Sequence, residues 1–287
     1  MQRLVFKLLM VALVLGLSLP GMAQAAKAPK GSVNLVYVEW SSEVASTNVV
    51  KALLEQAGYT VEITPVSAAA MWQAVASDNT VDGMVAAWLP TTHGHYLDKV
   101  KDKVEDLGPN LTGTRIGLVV PEYVTIRSID ELNANADKFK GQIVGIDPGA
   151  GLMSKTETAI KEYALDKLTV MEGSGATMTA ALADAVKNKQ WVVVTGWTPH
   201  WKFAKWPLKY LEDPKNVFGG DEFINTIVRK DLKKDKPEVH AILDRFEWTP
   251  EDMAAVMISI EDGMAPEAAA KKWLAAHPDK VKAWLGQ

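Results

Sequence analysis

The sequence predicts an α/β protein with two Rossmann-like lobes joined by a hinge. Short apolar segments of strand type alternate with amphipathic helical segments, an order typical of parallel sheets with helical crossovers. This alternation occurs twice, over residues 33–88 and again over residues 143–197. Each copy ends with the motif Trp-x-Pro, at Trp88 and at Trp197. The repetition indicates two similar lobes that face each other.

The first 25 residues have the composition of a secretory signal peptide. Arg3 and Lys7 flank the start of an apolar run over residues 8–19, and the triplet Ala23-Gln24-Ala25 matches a cleavage site. A membrane anchor is the alternative, but the run is shorter than the roughly 20 apolar residues of a spanning helix. We therefore expect residues 1–25 to be removed on export to the periplasm.

Composition restricts the class of partner. The 287 residues carry a formal net charge of −4, and removal of residues 1–25 with Arg3 and Lys7 would change it to −6. An acidic chain is poorly suited to nucleic acid, whose binding depends on basic residues. The chain has no cysteine, and therefore neither a disulfide nor a lipidated N-terminal cysteine. These features favour an exported, freely diffusing globular protein.

The first repeat is predicted as strand, helix, strand, helix, strand. The strands cover residues 33–38, residues 60–64 and the apolar run that ends at Trp88. The first helix is expected to start near Ser46 or Thr47 as its cap, and the second covers residues 68–76. A further apolar run at residues 116–121 is a candidate hinge strand.

The second repeat has the same order. Strands are predicted at residues 143–146, 168–171 and 191–195, with helices at residues 152–163 and 178–186. The two repeats keep an almost constant offset, since Ser46 lies 108 residues before Ser154 and Trp88 lies 109 residues before Trp197. A constant offset indicates structurally equivalent halves.

The chain after the second repeat is mostly helical. A second candidate hinge strand lies around residues 224–228, and helices are predicted at residues 237–246, 250–260, 266–275 and 279–285. Their tryptophans are expected in the core, and the helices are expected to pack on the first lobe. Lobe 1 would then combine residues 26–120 and 225–287, and lobe 2 would comprise residues 121–224.

Trp40, Trp88 and Trp197 each lie at the end of a predicted strand. Open α/β sheets bind ligands at the carboxyl ends of their strands. Indole faces carry negative potential, and several of them around one point form a cage for a cation such as a quaternary ammonium. A single tryptophan of this kind is more often a core residue, but three at equivalent places favour the cage.

An anionic group is expected opposite the cage. Gly151 and Leu152 start a predicted helix after a glycine-rich turn, and their backbone amides can bind an anion. His93 can donate a hydrogen bond to a carboxylate. A bound carboxylate should favour the imidazolium, so the affinity for such a ligand should rise modestly as the pH falls from about 8 to about 6.

Two other interpretations of these residues remain open. His93, His95 and His200 have side chains that could ligate a transition metal. The spacing Gly149-x-Gly151 resembles part of a dinucleotide fingerprint, but Ser154 stands where the third glycine is expected. No catalytic motif for acyl or phosphoryl transfer is present, so the sequence favours a binding protein over an enzyme.

Four segments of the sequence resemble the glycine betaine-binding proteins of osmoprotectant ABC importers, and the resemblance covers essentially the whole mature chain. They are VEWSSEVASTN at residues 38–48, AWLPTTH at 87–93, IDPGAGLMS at 146–154 and TGWTPHW at 195–201. The resemblance implies a type II periplasmic binding protein of Venus flytrap architecture. It also implies a monomer without a cofactor, whose closed, ligand-bound form is recognised by a membrane permease.

The resemblance further implies two sets of contacts with a betaine. The trimethylammonium group would lie among Trp40, Trp88 and Trp197, and the carboxylate would be held by the amides of Gly151 and Leu152 and by the side chain of His93. Choline, carnitine and proline betaine are alternative ligands within this class. A periplasmic enzyme acting on such compounds is the alternative from another class, and it would need a base or metal beside the cage.

Overall fold

The computed structural model describes residues 29–77 and 80–287, so the predicted signal peptide at residues 1–25 lies outside the described residues. The strands are β1 (Ser32–Tyr37), β2 (Thr60–Pro65), β3 (Gly83–Leu89), β4 (Val104–Pro121), β5 (Gln142–Val144), β6 (Thr169–Met171), β7 (Val194–Thr198), β8 (Leu208–Tyr210) and β9 (Glu222–Arg229).

The α-helices alternate with the strands and then fill the C-terminal part of the chain. They are α1 (Ser41–Gln56), α2 (Ala68–Ser77), α3 (Gly94–Val100), α4 (Gly151–Glu162), α5 (Gly175–Lys187), α6 (Lys202–Lys205), α7 (Leu232–Asp235), α8 (Pro237–Arg245), α9 (Pro250–Glu261), α10 (Pro266–Ala276) and α11 (Pro278–Leu285). Two 3-10 helices cover Ile129–Glu131 and Asn133–Phe139.

In the described part of the chain, nine strands form one sheet in the order β2-β1-β3-β9-β4-β7-β5-β6, with β8 paired to β4. Strand β1 is parallel to β2 and β3, and strand β5 is parallel to β6 and β7. In both halves an antiparallel strand pairs with the inner edge of the parallel unit, β9 beside β3 and β4 beside β7. The α/β class and the predicted order of two equivalent repeats are confirmed.

Strand β4 connects the two halves of the sheet. Its first part, from Val104 to Thr114, pairs with β9, and its last part, from Arg115 to Pro121, pairs with β7 and β8. The hinge strand predicted at residues 116–121 is therefore the end of a much longer strand. The division into lobes near residues 120 and 225 stays a prediction.

The C-terminal helices pack on the first repeat, because α9 and α10 contact α1. Trp273 stacks on Trp284 and meets the edge of Trp248, in both cases with ring centroids 5.9 Å apart. All three indoles are buried, as their helical spacing predicts. Among the described helices, none has the length and apolar character needed to cross a membrane.

The predicted starts of α1 and β7 are wrong. Helix α1 begins at Ser41 rather than near Ser46 or Thr47, and both of these residues are buried inside the helix. Strand β7 begins at Val194 rather than at residue 191, because Trp191 packs on Phe139 outside the sheet. Trp88 and Trp197 are the next-to-last residues of β3 and β7, so Trp197 lies inside a strand that the sequence predicts to end at residue 195.

Candidate functional site

A small cavity lies where β1, β3 and β7 end, between the first turns of α1 and α4. The empty space between its wall atoms is about 300 Å³, part of which is open to solvent. The first repeat contributes Trp40, Ser42, Glu43 and Trp88, followed by Thr92, and the second contributes Ile146, Ala150, Leu152 and Trp197. Ile116 of β4 completes the wall.

The three predicted tryptophans all line this cavity, and each is more than nine-tenths buried. The indole N–H of Trp40 donates to Asp147 Oδ2 at 2.8 Å, and that of Trp88 donates to Glu43 Oε1 at 2.6 Å. The indole N–H of Trp197 donates to Ser42 Oγ at 3.1 Å. Each indole is thus held at its edge, which leaves its face available as a wall of the cavity.

The hydrogen bonds of the cage connect the two repeats. Trp40 belongs to the first repeat and its acceptor Asp147 to the second, whereas Trp197 belongs to the second and its acceptor Ser42 to the first. Outside the cavity, the Tyr96 hydroxyl donates to the carbonyl oxygen of Gly149 at 2.8 Å. The cage is therefore complete only when the repeats are in contact.

Glu43 is the residue in the cavity wall that the sequence analysis did not identify. Its side chain is 1% exposed, and Oε2 accepts a hydrogen bond from the Ser42 hydroxyl at 2.6 Å. Burial raises the pKa of Glu43 to about 7, although hydrogen bonds from Ser42, Trp88 and its own backbone N–H act in the opposite direction. A carboxylate thus contacts the Trp88 indole directly and the Trp197 indole through the Ser42 hydroxyl. The one signal in the sequence is its place in Trp-Ser-Ser-Glu, at the start of a helix.

The start of α4 provides free backbone donors on the other side of the cavity. The N-cap residue Ala150 offers no side-chain acceptor, and the first turn has no acidic residue. Among the described residues, the amides of Gly151 and Leu152 have no hydrogen-bond partner. Orphan amides at a helix N-terminus bind anions. Leu152 lines the cavity itself, whereas Gly151 adjoins it.

Gly151 permits an unusually close approach between the repeats. A Cβ atom at this position would lie 2.1 Å from the carbonyl oxygen of Thr92, which is far below van der Waals contact. The start of α4 can therefore lie against Thr92 only if residue 151 is glycine.

His93 lies behind the cavity rather than in its wall. Its ring is fully buried, 6.0 Å from the rings of both Trp40 and Trp72. Its Nδ1 accepts the backbone N–H of Trp88 at 3.1 Å, which requires the proton of the neutral ring to be on Nε2. This Nε2 is buried and has no partner among the described residues. His93 therefore has one unused hydrogen-bond donor beside the cage.

The structure favours the neutral form of His93, and the pH dependence expected for ligand binding stays a prediction. Burial, together with the neighbouring His95, lowers the pKa of His93 to about 3, so the ring is neutral between pH 6 and pH 8. Protonation would also place a hydrogen on Nδ1 and abolish the bond from the Trp88 N–H. His93 can donate to a carboxylate only as the neutral ring in this range.

The proposed metal ligands do not come together. Among residues 29–77 and 80–287, no group of three or more His, Asp or Glu side chains is arranged to hold a metal ion. His200 instead packs edge-on against Trp197, with ring centroids 4.6 Å apart, and its Nδ1 accepts the backbone N–H of Lys202. The buried Nζ of Lys202 lies 4.4 Å from the centre of the Trp197 ring. His200 and Lys202 thus support the cage from outside the cavity.

The arrangement has the chemistry of a receptor for a small zwitterion. Three indole faces and one buried carboxylate provide negative potential at one end, and the two free amides at the start of α4 provide donors on the other side. The neutral His93 lies behind Trp40 with an unused donor. The cavity lacks a matched acid and base pair, because its one titratable wall residue is Glu43. Binding rather than bond cleavage is the chemistry that these groups support.

Comparison with protein families gives one match that covers most of the chain. Residues 31–276 match the family described as the substrate binding domain of the ABC-type glycine betaine transport system. The matched range contains every residue of the cavity wall.

Individual relatives agree with this match. The glycine betaine/carnitine transport binding protein of Listeria monocytogenes is 50% identical over 162 residues, which are 56% of this chain and 54% of that protein, so the match spans about half of the relative. The closed-liganded lactococcal structure in complex with glycine betaine is 46% identical with a TM-score of 0.85, over 89% of this chain and 99% of that one. An ABC-transporter choline binding protein in complex with choline is 26% identical with a TM-score of 0.83, over 89% and 91% of the two chains.

Proposed function

Because the chain belongs to the family of substrate-binding domains of ABC-type glycine betaine transport systems, we propose that it captures glycine betaine in this cavity and delivers it to a membrane permease. The family consists of substrate-binding proteins of importers and not of enzymes. The proposed ligand contacts are the indoles of Trp40, Trp88 and Trp197, the amides of Gly151 and Leu152, and His93.

One observation carries the proposal. Three indoles line one cavity, and the two unpartnered amides that start α4 lie at its edge. A trimethylammonium group is bulky and donates no strong hydrogen bond, and aromatic faces are the groups that recognise it. The carboxylate of the same ligand is small and anionic, and a helix start is suited to it. Glycine betaine has both groups one methylene apart.

The proposal includes the setting in which the protein acts. The two repeats would form two lobes, with lobe 1 comprising residues 26–120 and 225–287 and lobe 2 comprising residues 121–224. A ligand held by both lobes favours the closed form, which a permease can recognise. We place the protein in the periplasm, as a monomer released from a signal peptide at residues 1–25.

The proposal is tested by titration of the purified protein with glycine betaine. We expect a saturable heat of binding with a dissociation constant in the low micromolar range, which is about −8 kcal/mol. Tryptophan fluorescence should change in parallel, because three of the ten tryptophans surround the ligand. No heat and no spectral change up to millimolar ligand would refute the proposal.

Alanine variants test where the ligand lies. Trp88→Ala and Trp197→Ala should each weaken binding about ten-fold or more, through loss of the cation-π contact and opening of the cavity. Trp191→Ala is the matched control, because this indole packs on Phe139 and does not line the cavity, so the variant should leave affinity unchanged. Unchanged affinity in both cage variants would show that the ligand does not bind in the cage.

Choline is the second candidate ligand, because a choline complex is among the similar structures. Choline has the cationic group but no carboxylate, so the free amides of Gly151 and Leu152 would remain without a partner. Proline betaine and carnitine retain both charged groups but are larger. A panel of these four compounds in the same titration ranks them, and we expect glycine betaine to bind most tightly and choline poorly.

A further inference from the structure

The buried carboxylate of Glu43 has no cation beside it in the protein. Both of its oxygens accept hydrogen bonds, Oε1 from the Trp88 indole and Oε2 from the Ser42 hydroxyl. In the described part of the chain it forms no ion pair with a Lys, Arg or His side chain. A buried charge without a counter-charge is costly, and proteins rarely retain one unless a ligand or partner compensates it.

The carboxylate forms part of the cavity wall next to the indoles that would surround a cation. It lies between two cage indoles, because Trp88 donates to Glu43 directly and Trp197 donates to the Ser42 hydroxyl that in turn donates to Glu43. Acceptance of an indole N–H by a carboxylate also increases the negative potential of the indole face. The charge of Glu43 and the more negative indole face would both attract the cationic end of the ligand.

We propose that Glu43 is the counter-charge for the cationic end of the ligand, and that it makes the site prefer a quaternary ammonium over an uncharged group of the same shape. This inference rests on the proposed function and adds the residue that discriminates charge. The cage alone recognises size and shape as well as charge, since a tert-butyl group also fits among aromatic rings. Glu43 contributes the part of recognition that depends on charge alone.

Glu43 has a structural role as well, which the test must separate. It lies in the first turn of α1 and accepts its own backbone N–H, so it stabilises the start of that helix. The other charged or titratable groups around the cage are Asp147 at the edge of Trp40, the neutral His93 behind Trp40, and Lys202 on the Trp197 ring. If Glu43 acts only through the structure of the site, its substitution would weaken the binding of every ligand by a similar factor.

The decisive measurement compares two ligands that differ in one atom. Glycine betaine and 3,3-dimethylbutanoate have the same shape and the same carboxylate, but the second has carbon in place of the charged nitrogen. Both are titrated calorimetrically at pH 8 into the wild type and into Glu43→Gln, whose amide can still accept from Trp88. The ratio of the two affinities should fall by about ten-fold or more in the variant.

The control variant is Asp147→Asn, which removes the other carboxylate that accepts a cage indole N–H. Asp147 is partly exposed and does not line the cavity, so water screens its charge and the affinity ratio should fall only slightly. An equal loss for both ligands in Glu43→Gln, with an unchanged ratio, would overturn the inference and leave Glu43 a purely structural residue.

A measurement on the wild type keeps the inference testable if Glu43→Gln does not fold. With a pKa of about 7, Glu43 is mostly protonated at pH 6, and a bound cation favours the ionised form. Glycine betaine should therefore release up to about one proton per site at pH 6, while 3,3-dimethylbutanoate releases none. Titration in two buffers of different ionisation enthalpy measures this difference, and equal proton release by both ligands would overturn the inference.

The outcomes distinguish this inference from the proposed function. If the wild type binds no quaternary amine, the proposed function fails. If it binds glycine betaine but Glu43→Gln leaves the affinity ratio intact, the function stands and the role of Glu43 is wrong.

Discussion

The first helices of the two repeats, α1 and α4, follow the first strand of each repeat but begin with opposite chemistry. The first turn of α1 contains Glu43, whose carboxylate accepts its own backbone N–H. The first turn of α4 has no acidic residue, and the amides of Gly151 and Leu152 have no partner among the described residues. One helix start already holds a carboxylate of the chain, and the other is free for a carboxylate from outside.

This difference explains how a duplicated scaffold can bind a ligand with two unlike ends. Both helix starts carry the same partial positive charge from their backbone dipoles. At α1 the side chain of Glu43 reverses that charge, whereas at α4 nothing opposes it. The two repeats thus present a negative and a positive end to one cavity without any change of topology.

The largest loss of affinity is expected when the start of α4 is displaced by a side chain at residue 151. In Gly151→Ala the new Cβ would lie 2.1 Å from the Thr92 carbonyl oxygen, so α4 must move away and carry its amides with it. We expect binding of glycine betaine to weaken roughly 10- to 100-fold by calorimetry. Gly220→Ala is the control, because a Cβ there meets nothing within 4 Å and affinity should be unchanged. Wild-type affinity in Gly151→Ala would contradict the close approach.

A smaller loss of affinity is expected from removal of His93, the hydrogen-bond donor of the first repeat that we propose for the ligand carboxylate. His93→Ala removes the free Nε2–H and should weaken glycine betaine about ten-fold, close to the value of a hydrogen bond to a charged group. Choline, which has no carboxylate, should be almost indifferent to the change.

The pH dependence of the affinity for glycine betaine distinguishes a neutral His93 donor from a charged one. Because the pKa of His93 is about 3, the ring stays neutral, and the profiles of wild type and His93→Ala should be parallel between pH 6 and pH 8. A pH dependence that disappears in His93→Ala would show that the ring is charged when the ligand is bound.

The smallest losses of affinity are expected when the indoles of the two equivalent strands are each replaced by phenylalanine. Trp88→Phe and Trp197→Phe both keep an aromatic face, but the first loses a bond to a carboxylate and the second a bond to a neutral hydroxyl. At pH 8 we expect affinity to fall about 5-fold in Trp88→Phe and about 2-fold in Trp197→Phe. Equal losses, measured by fluorescence titration, would mean that the acceptor of the indole N–H does not influence the cage.

The sequence predicted the fold well because strands and helices follow from local patterns. Apolar runs and turn residues mark the elements of each repeat, and the constant offset between Trp88 and Trp197 identifies the duplication without any structure. The start of α1 was misplaced because Ser46 and Thr47 are good cap residues by type. Both are buried instead, and Ser46 donates to the carbonyl oxygen of Glu43 within the helix.

Glu43 escaped prediction for a physical reason. A single glutamate in the first turn of a helix is normally a solvated residue that favours the helix dipole. Its burial results from contact with Trp88, 45 residues further along the chain, and with the indirect partner Trp197. Such distant contacts leave no local pattern. The neutral state of His93 was missed for the same reason, because it depends on burial and on the backbone N–H of Trp88.

The continuous strand β4 has a mechanical consequence for how the cavity opens. A strand that pairs with β9 over its first part and with β7 over its last can bend near Thr114 and Arg115 but cannot slide along either neighbour without breaking a ladder of hydrogen bonds. If the two repeats separate as predicted, we expect them to rotate about this bend. Trp197 and Leu152 would swing away from Trp88 as one rigid wall. A ligand would lose its contacts with that wall in a single step. The residence time of the bound ligand would therefore depend on how easily β4 bends.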